Sequence, residues 1–339
     1  MNQNAAGASA RQDILSLQYL RAVAALGVVL FHLGEPFGLN LMFGRAGVDI
    51  FFIISGFIMW LVTRDRETRP GVFIKKRLLR IVPMYWLVTL FLALCVYIKP
   101  NIFSMDHLTL SHLAQSLLFI PHISPSGNKF PLLSQGWTLN YEMFFYVLFT
   151  LSLFAGSRGR QLAGLSAVIV VAVLCGIFFN PSSPVLITYT STLLLEFLAG
   201  IFMAEAWLRS RLAAGRPLAL LAIIAGLSGI ALASYLRPAI PEVLYFGVPC
   251  ALLVFGTLSL DRQGGVPRWG WLKVLGDASY SIYLTHFFCW TAVSLALAKS
   301  GLSRNLYEYG ATVAMAIVVG LSAYYAAERP MTRFLSRTR

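Results

Sequence analysis

Apolar residues run along this chain in blocks of about 18 to 25, each long enough to cross ~30 Å of hydrocarbon as a helix, and polar residues gather between the blocks. The blocks fall at roughly 14–33, 46–63, 81–99, 137–155, 162–179, 189–207, 217–236, 243–260, 274–298 and 309–327. Helices satisfy every backbone N–H and C=O without water, so blocks of this length read as helices. The pattern predicts an all-α polytopic membrane protein, a bundle of about ten transmembrane helices. They form one domain over 14–335, behind a short cytoplasmic N-terminal tail, 1–13. A basic loop, Arg64 to Arg80, holds a helix-compatible stretch from Val72 to Arg80 that reads as an interfacial amphipathic segment. A longer loop, about 100–136, holds the short apolar stretch Leu113 to Ile120, read as a re-entrant or interfacial helix.

Composition agrees with lipid as the solvent. Of the 339 residues, 58% are hydrophobic and only 12% charged, against about 25% charged in a soluble domain. The net charge of +13 takes its meaning from its distribution. With the N-terminus in the cytoplasm, alternating spans put 21 of the 27 Lys and Arg on the inner side and 6 on the outer. This bias predicts that both termini are cytoplasmic, and it accounts for the basic charge without nucleic acid. Small residues Ala8-Ser9-Ala10 precede the first apolar block, so that block reads as a retained insertion signal and not a cleaved one. Cys95, Cys175, Cys250 and Cys289 lie inside apolar runs and read as core residues. His107, His112 and His122 are irregularly spaced and read as solvated or packed, so no metal site is expected.

Polar residues inside the blocks need a reason, because a charge in hydrocarbon is costly and finds a partner or a function. The first block runs from Leu17 through Arg21 to His32. Those two lie eleven residues apart on nearly one helical face, about 16 Å in rise. Arg21 either snorkels to the inner headgroups or holds an anionic cofactor, while His32 is placed for proton chemistry. Asp49 opens the second block and either orients His32 or pairs with Arg45; Ser55-Gly56 further along reads as a close helix contact. Arg77 and Arg80 share a helical face and suit phosphate recognition, or they are ordinary inner-side charge. The fourth block begins Trp137-Thr-Leu-Asn140-Tyr141-Glu142, where aromatic rings beside a carboxylate and an amide resemble a sugar-binding lining. The ninth carries Ser279-Tyr280-Ser281-Ile-Tyr283-Leu-Thr285-His286, a second intramembrane histidine, and the tenth closes on Glu328-Arg329-Pro330.

Together these motifs resemble the acyltransferase-3 family of membrane acyltransferases, in its exopolysaccharide O-acetyltransferase branch. The resemblance rests on the Arg21-to-His32 helix, Gly47-Val-Asp49 through Gly56-Phe57, and Arg77-Leu-Leu-Arg80-Ile-Val-Pro83-Met-Tyr85. It rests equally on Trp137 to Tyr146, Ser279 to His286 and the closing Glu328-Arg329-Pro330. Gln18 stands where many members have Asp, a departure that this branch shares.

The resemblance implies a multi-pass enzyme of the bacterial cytoplasmic (inner) membrane. It would move an acetyl or other acyl group from cytoplasmic acetyl-CoA to a hydroxyl of a cell-surface polysaccharide or lipid-linked oligosaccharide. Carried onto this sequence, it implies His32 as the essential histidine and Glu142 as the helix-four carboxylate; His32 would act as general base, with Asp49 or Glu142 as the catalytic carboxylate that orients it. Arg21, Arg77 and Arg80 would hold the CoA donor, and Trp137, Asn140, Tyr141, Tyr283 and His286 would meet the acceptor. A transporter or flippase for a lipid-linked sugar is the alternative, although no inverted repeat is legible.

Overall fold

A computed structural model describes residues 14–64, 68–99, 108–212, 214–236, 238–300 and 306–337. The N-terminal tail, 1–13, and His107 lie outside the described residues. Among those described there is no strand. In chain order the helices are α1 (Leu15–Gly34), α2 (Ala46–Val62), α3 (Pro70–Ile98), α4 (Leu110–Leu117), α5 (Trp137–Ser152), α6 (Arg158–Phe179) and α7 (Pro184–Tyr189). They continue with α8 (Leu194–Leu208), α9 (Arg216–Leu236), α10 (Val248–Arg262), α11 (Gly270–Asp277), α12 (Ser279–Ser300), α13 (Leu306–Ala323) and α14 (Arg329–Arg337).

Nine of the ten expected spans coincide with segments long and apolar enough to cross a membrane, as an integral multi-pass membrane protein requires. The remaining one, 274–298, is divided at Ala278 into α11 and the 22-residue α12. Ser279, Ser281, Thr285 and His286 lower the hydropathy of α12, and all four are buried inside the bundle. Polar residues facing the interior are tolerated where those facing lipid are not.

Two expectations change. The basic stretch from Val72 to Arg80 is not a separate interfacial element, because α3 runs unbroken for 29 residues through Pro83. At 1.5 Å per residue that is about 43 Å, longer than the hydrocarbon core, so its first turns, with Lys75 and Lys76 exposed, project beyond it. Pro is tolerated inside membrane helices where neighbours re-satisfy the freed backbone groups. The short helix expected at Leu113 to Ile120 begins earlier, at Leu110, because Thr109 caps it by accepting from the His112 backbone N–H at 3.1 Å.

The core is organised by close backbone approaches. α2 and α8 cross where a Cβ at Gly56 would lie 2.0 Å from the Phe197 carbonyl oxygen, and one at Gly200 would lie 1.9 Å from that of Ile53. Neither site accommodates a side chain, and small residues are the usual means of bringing membrane helices together. Phe52, Phe145 and Phe197 stack through this crossing, at centroid distances of 4.6 and 4.4 Å. α1 lies against α2, α11 and α12. α6 sits at the rim, with Val168, Val171, Ile177 and Phe178 facing outward.

The loop around α4 is tied to α3, since the Tyr85 hydroxyl donates to the Ser116 carbonyl at 3.1 Å and the Trp86 indole N–H to that of Leu117 at 2.9 Å. Within it, His122 Nδ1 donates to the Ile120 carbonyl at 2.7 Å. His122 Nε2 is therefore an acceptor, and it takes the proton of His112 Nδ1 at 2.7 Å. Burial first, and then the neighbouring His122, push His112 down to about 4.

Gly56→Ala is expected to destabilise the bundle by ~1–3 kcal/mol, read as a lower melting temperature in detergent; an unchanged melt would show that the crossing relaxes freely. For His112 the folded state binds its proton less readily than the unfolded chain. Its contribution to stability is therefore full above about 6.5 and is lost as the pH falls from there through about 4. His112→Gln is expected to flatten the dependence of the melting temperature on pH across that window.

Candidate active site

A cavity of about 570 Å³ opens between α1, α2, α3, α5 and α12. Arg21 enters it from α1, Arg77 and Arg80 from α3, Glu142 and Tyr146 from α5, and Tyr280 and Tyr283 from α12. The three arginines expected to act together are thus brought into one chamber from two helices. Each is anchored. Arg21 donates to the Ser279 hydroxyl at 3.0 Å and reaches the Gln18 amide oxygen at 3.4 Å. Arg77 lies over the Phe73 ring, 5.8 Å from its centroid. Arg80 pairs with Glu328 at 3.3 Å, and Glu328 accepts in turn from the Ser281 hydroxyl at 2.6 Å. With only 1% of its surface exposed, Glu328 is a buried countercharge. Its position in the closing Glu-Arg-Pro was the available sequence signal for this contact.

Glu142 accepts a hydrogen bond from Ser55 at 3.1 Å and a short one from the Tyr146 hydroxyl. Arg21 and Arg77 line the same cavity. Tyr146 follows Glu142 by four residues, which puts both on one helical face; the sequence reading passed over it, as it did Ser55 as a hydrogen-bond donor. The same helical geometry separates the expected sugar lining from this chamber. Thr138, Glu142 and Tyr146 repeat every four residues and face the cavity. Trp137, Asn140 and Tyr141 occupy other faces of α5 and do not line it. Trp137 and Tyr141 meet edge to face at 5.8 Å, and Tyr141 packs on Phe52 at 5.7 Å.

Asp49 is likewise elsewhere. Gly47 lies on the side of α2 that meets α1, where a Cβ would lie 2.4 Å from the Ala24 carbonyl oxygen. Two residues on, the helix has turned about 200°. Asp49 therefore faces α8 and lies against Glu196, both nearly fully buried. Arg45, the other expected partner, bonds Glu242 at 2.9 and 3.1 Å.

His32 does not line the cavity. It is exposed, and its ring contacts are Phe31 at 5.0 Å and, stacked at 5.4 Å, His286. No carboxylate hydrogen-bonds to it among the described residues, so orientation by Asp49 or Glu142 is not what the geometry provides. The neighbour it does provide is the buried imidazole of His286, whose Nδ1 donates to the Tyr283 carbonyl at 2.7 Å. His286 Nε2 lies 3.4 Å from the Gln135 amide nitrogen. Tyr283 is thus the link between the two groups: its ring lines the cavity and its backbone holds His286.

An arginine-rich chamber and, beside it, a stacked pair of histidines thus lie within the bundle of membrane helices. The chain belongs to the acyltransferase-3 family, whose model, that of an acyltransferase domain, matches residues 14–325. It is 40% identical over 311 residues to the exopolysaccharide production protein ExoZ of Rhizobium meliloti, covering 90% of this chain and 95% of that one. It is 28% identical to the acyltransferase MdmB of Streptomyces mycarofaciens, over 96% of this chain and 93% of that one. With the peptidoglycan O-acetyltransferase OatA of Listeria monocytogenes it shares 25% identity, over 90% of this chain but 54% of the larger protein. No solved structure matches the chain. The protein is a membrane acyltransferase.

Removing one donor from the buried Glu142 carboxylate, by Tyr146→Phe or Ser55→Ala, is expected to cost ~1–3 kcal/mol. Because both donors serve one group, the double variant should depart from the sum of the two. Additive losses in thermal melts would show that Glu142 does not depend on them jointly.

Proposed function

We propose that this enzyme transfers an acetyl group from acetyl-CoA, entering from the cytoplasm, to a hydroxyl of a polysaccharide or lipid-linked oligosaccharide on the outer side of the bacterial cytoplasmic membrane. The observation that carries the reading is the grouping of Arg21, Arg77 and Arg80 in one cavity, beside the stacked pair His286 and His32. Guanidinium groups in a partly desolvated chamber suit the phosphates of a CoA donor. The excess of Lys and Arg on the side where these arginines lie supports a cytoplasmic entrance. Glu328 holds Arg80 at the chamber wall.

At the other end, His32 acts as general base. Its neutral ring takes the proton of the acceptor hydroxyl as that oxygen attacks the thioester carbonyl. The carbon–sulfur bond breaks, the new ester bond forms, and the proton passes to the departing CoA sulfur. His286 holds the His32 ring by stacking. The resemblance to an exopolysaccharide production protein and to a peptidoglycan O-acetyltransferase favours a carbohydrate hydroxyl as the acceptor.

In purified protein, His32→Ala is expected to lower acetyl transfer by about 10²–10⁴-fold; full retained activity would remove His32 from the mechanism. The double variant Arg77→Ala, Arg80→Ala is expected to raise the KM for acetyl-CoA roughly tenfold or more. It should also abolish the thermal stabilisation that CoA gives the wild-type protein. Unchanged donor affinity would place the phosphates elsewhere.

A further inference from the structure

The cavity and the histidine pair do not meet. Toward the histidines the chamber ends on Phe51, Thr138 and Tyr283, while His286 and His32 stack beyond them. Tyr283 belongs to both, lining the chamber and lying beside His286. The Tyr283 hydroxyl donates to the Gln135 carbonyl at 2.9 Å and lies 3.0 Å from Thr138 Oγ1. Thr138 also donates to that carbonyl, at 3.2 Å. The Tyr283 ring is held on the cavity side by the edge of Phe51, at 6.1 Å and 66°. Its centroid lies 6.2 Å from that of the His286 ring. Tyr283, Gln135 and His286 thus close a small circuit, in which the Tyr283 carbonyl and the Gln135 amide both hold the imidazole.

Taking the chamber as the donor site, as proposed above, this arrangement has a consequence. We propose that Tyr283 is a gate between the acyl donor and His32, and that its phenol ring, latched on Gln135 and Thr138, keeps the thioester from the histidine pair and from the water beside it until the ring swings. His32 is exposed in the fold, and a route that brings an acceptor hydroxyl to it, as proposed above, also admits water. An open passage would let water take the place of the acceptor hydroxyl: its oxygen would attack the thioester carbonyl, the carbon–sulfur bond would break, and acetic acid and CoA thiol would leave. The latch is well suited to movement. Rotating the side chain breaks the hydroxyl contacts and the ring contacts with Phe51 and His286, but the Tyr283 hydrogen bond from His286 is made by its carbonyl and stays in place. Opening therefore leaves the imidazole pair assembled. Tyr283 acts here on specificity, transfer against hydrolysis, and Gln135 and Thr138 are positioning residues for it.

The test uses the full chain in lipid vesicles, with acetyl-CoA and no acceptor, following release of CoA thiol. Tyr283→Phe keeps the ring and loses the latch, and is expected to raise hydrolysis about fivefold, the worth of one or two hydrogen bonds. Tyr283→Ala removes the ring and should raise it roughly tenfold or more. Retention of the CoA-induced thermal shift in both variants shows that they are folded and loaded. Hydrolysis no faster than wild type in loaded variants overturns the gate. A second measurement needs no donor. A cysteine placed by His32→Cys is treated from the arginine-cavity side with a membrane-impermeant thiol reagent, and labelling is compared with the same chains lacking that cysteine. Labelling is expected only when Tyr283→Ala is also present. Equal labelling with Tyr283 intact, or none without it, overturns the gate. Failure of acetyl-CoA to bind the wild-type chain overturns the donor reading instead, and the labelling result alone then decides whether Tyr283 closes the passage.

Discussion

Hydrocarbon does not solvate charge, and this structure is arranged around the few charges it keeps inside. A single Arg or Asp at the middle of a membrane helix costs on the order of 3 kcal/mol even when it can snorkel. Here Arg21, Arg77, Arg80, Glu142 and Glu328 are withdrawn from lipid into one interior compartment and matched with one another or with hydroxyls. Once that compartment exists, the rest of the bundle has to enclose it. α3 and α12 are joined by the Arg80–Glu328–Ser281 chain and by the Tyr280 hydroxyl on the Ile81 carbonyl at 2.9 Å. α2 and α5 are joined by Ser55 and Glu142. The polar contacts that make the chamber possible are also the ones that fix the helices forming its walls.

A second set of contacts closes the opposite end without formal charge. Tyr283, Gln135, Thr138 and His286 bond through hydroxyl, amide, carbonyl and imidazole groups. Such groups are cheaper to bury than ions once they are hydrogen-bonded. The interior is therefore graded, ionic where the arginines cluster and neutral where the histidines stack.

The spans were legible in the sequence because lipid imposes a single requirement, apolar length, that a run of residues either meets or does not. The interior arginines were legible for the same reason, since each is an exception to that requirement. What periodicity did not supply is azimuth. Asp49 is buried as expected, but it points to Glu196 because Gly47 occupies the side of α2 that meets α1. Trp137 and Tyr141 are neighbours of Glu142 in sequence and not in space, because adjacent residues on a helix diverge by about 100°. Reading every fourth residue from Glu142 leads to Thr138 and Tyr146, both of which line the cavity. The break at Ala278 and the continuity of α3 through Pro83 depend on tertiary partners, and no local rule contains them.

Ser55 and Gly56 join two demands on adjacent residues. Gly56 lets the backbone of α2 touch α8, and Ser55, one position earlier, reaches across to Glu142. The crossing therefore works as an index mark: it sets the height and rotation at which α2 presents its hydroxyl. Repacking α8 to suit a different lipid or temperature would reset that mark and shift the carboxylate facing the arginines. In this protein mechanical adaptation and chemical tuning share a coordinate, and neither is free to drift without the other.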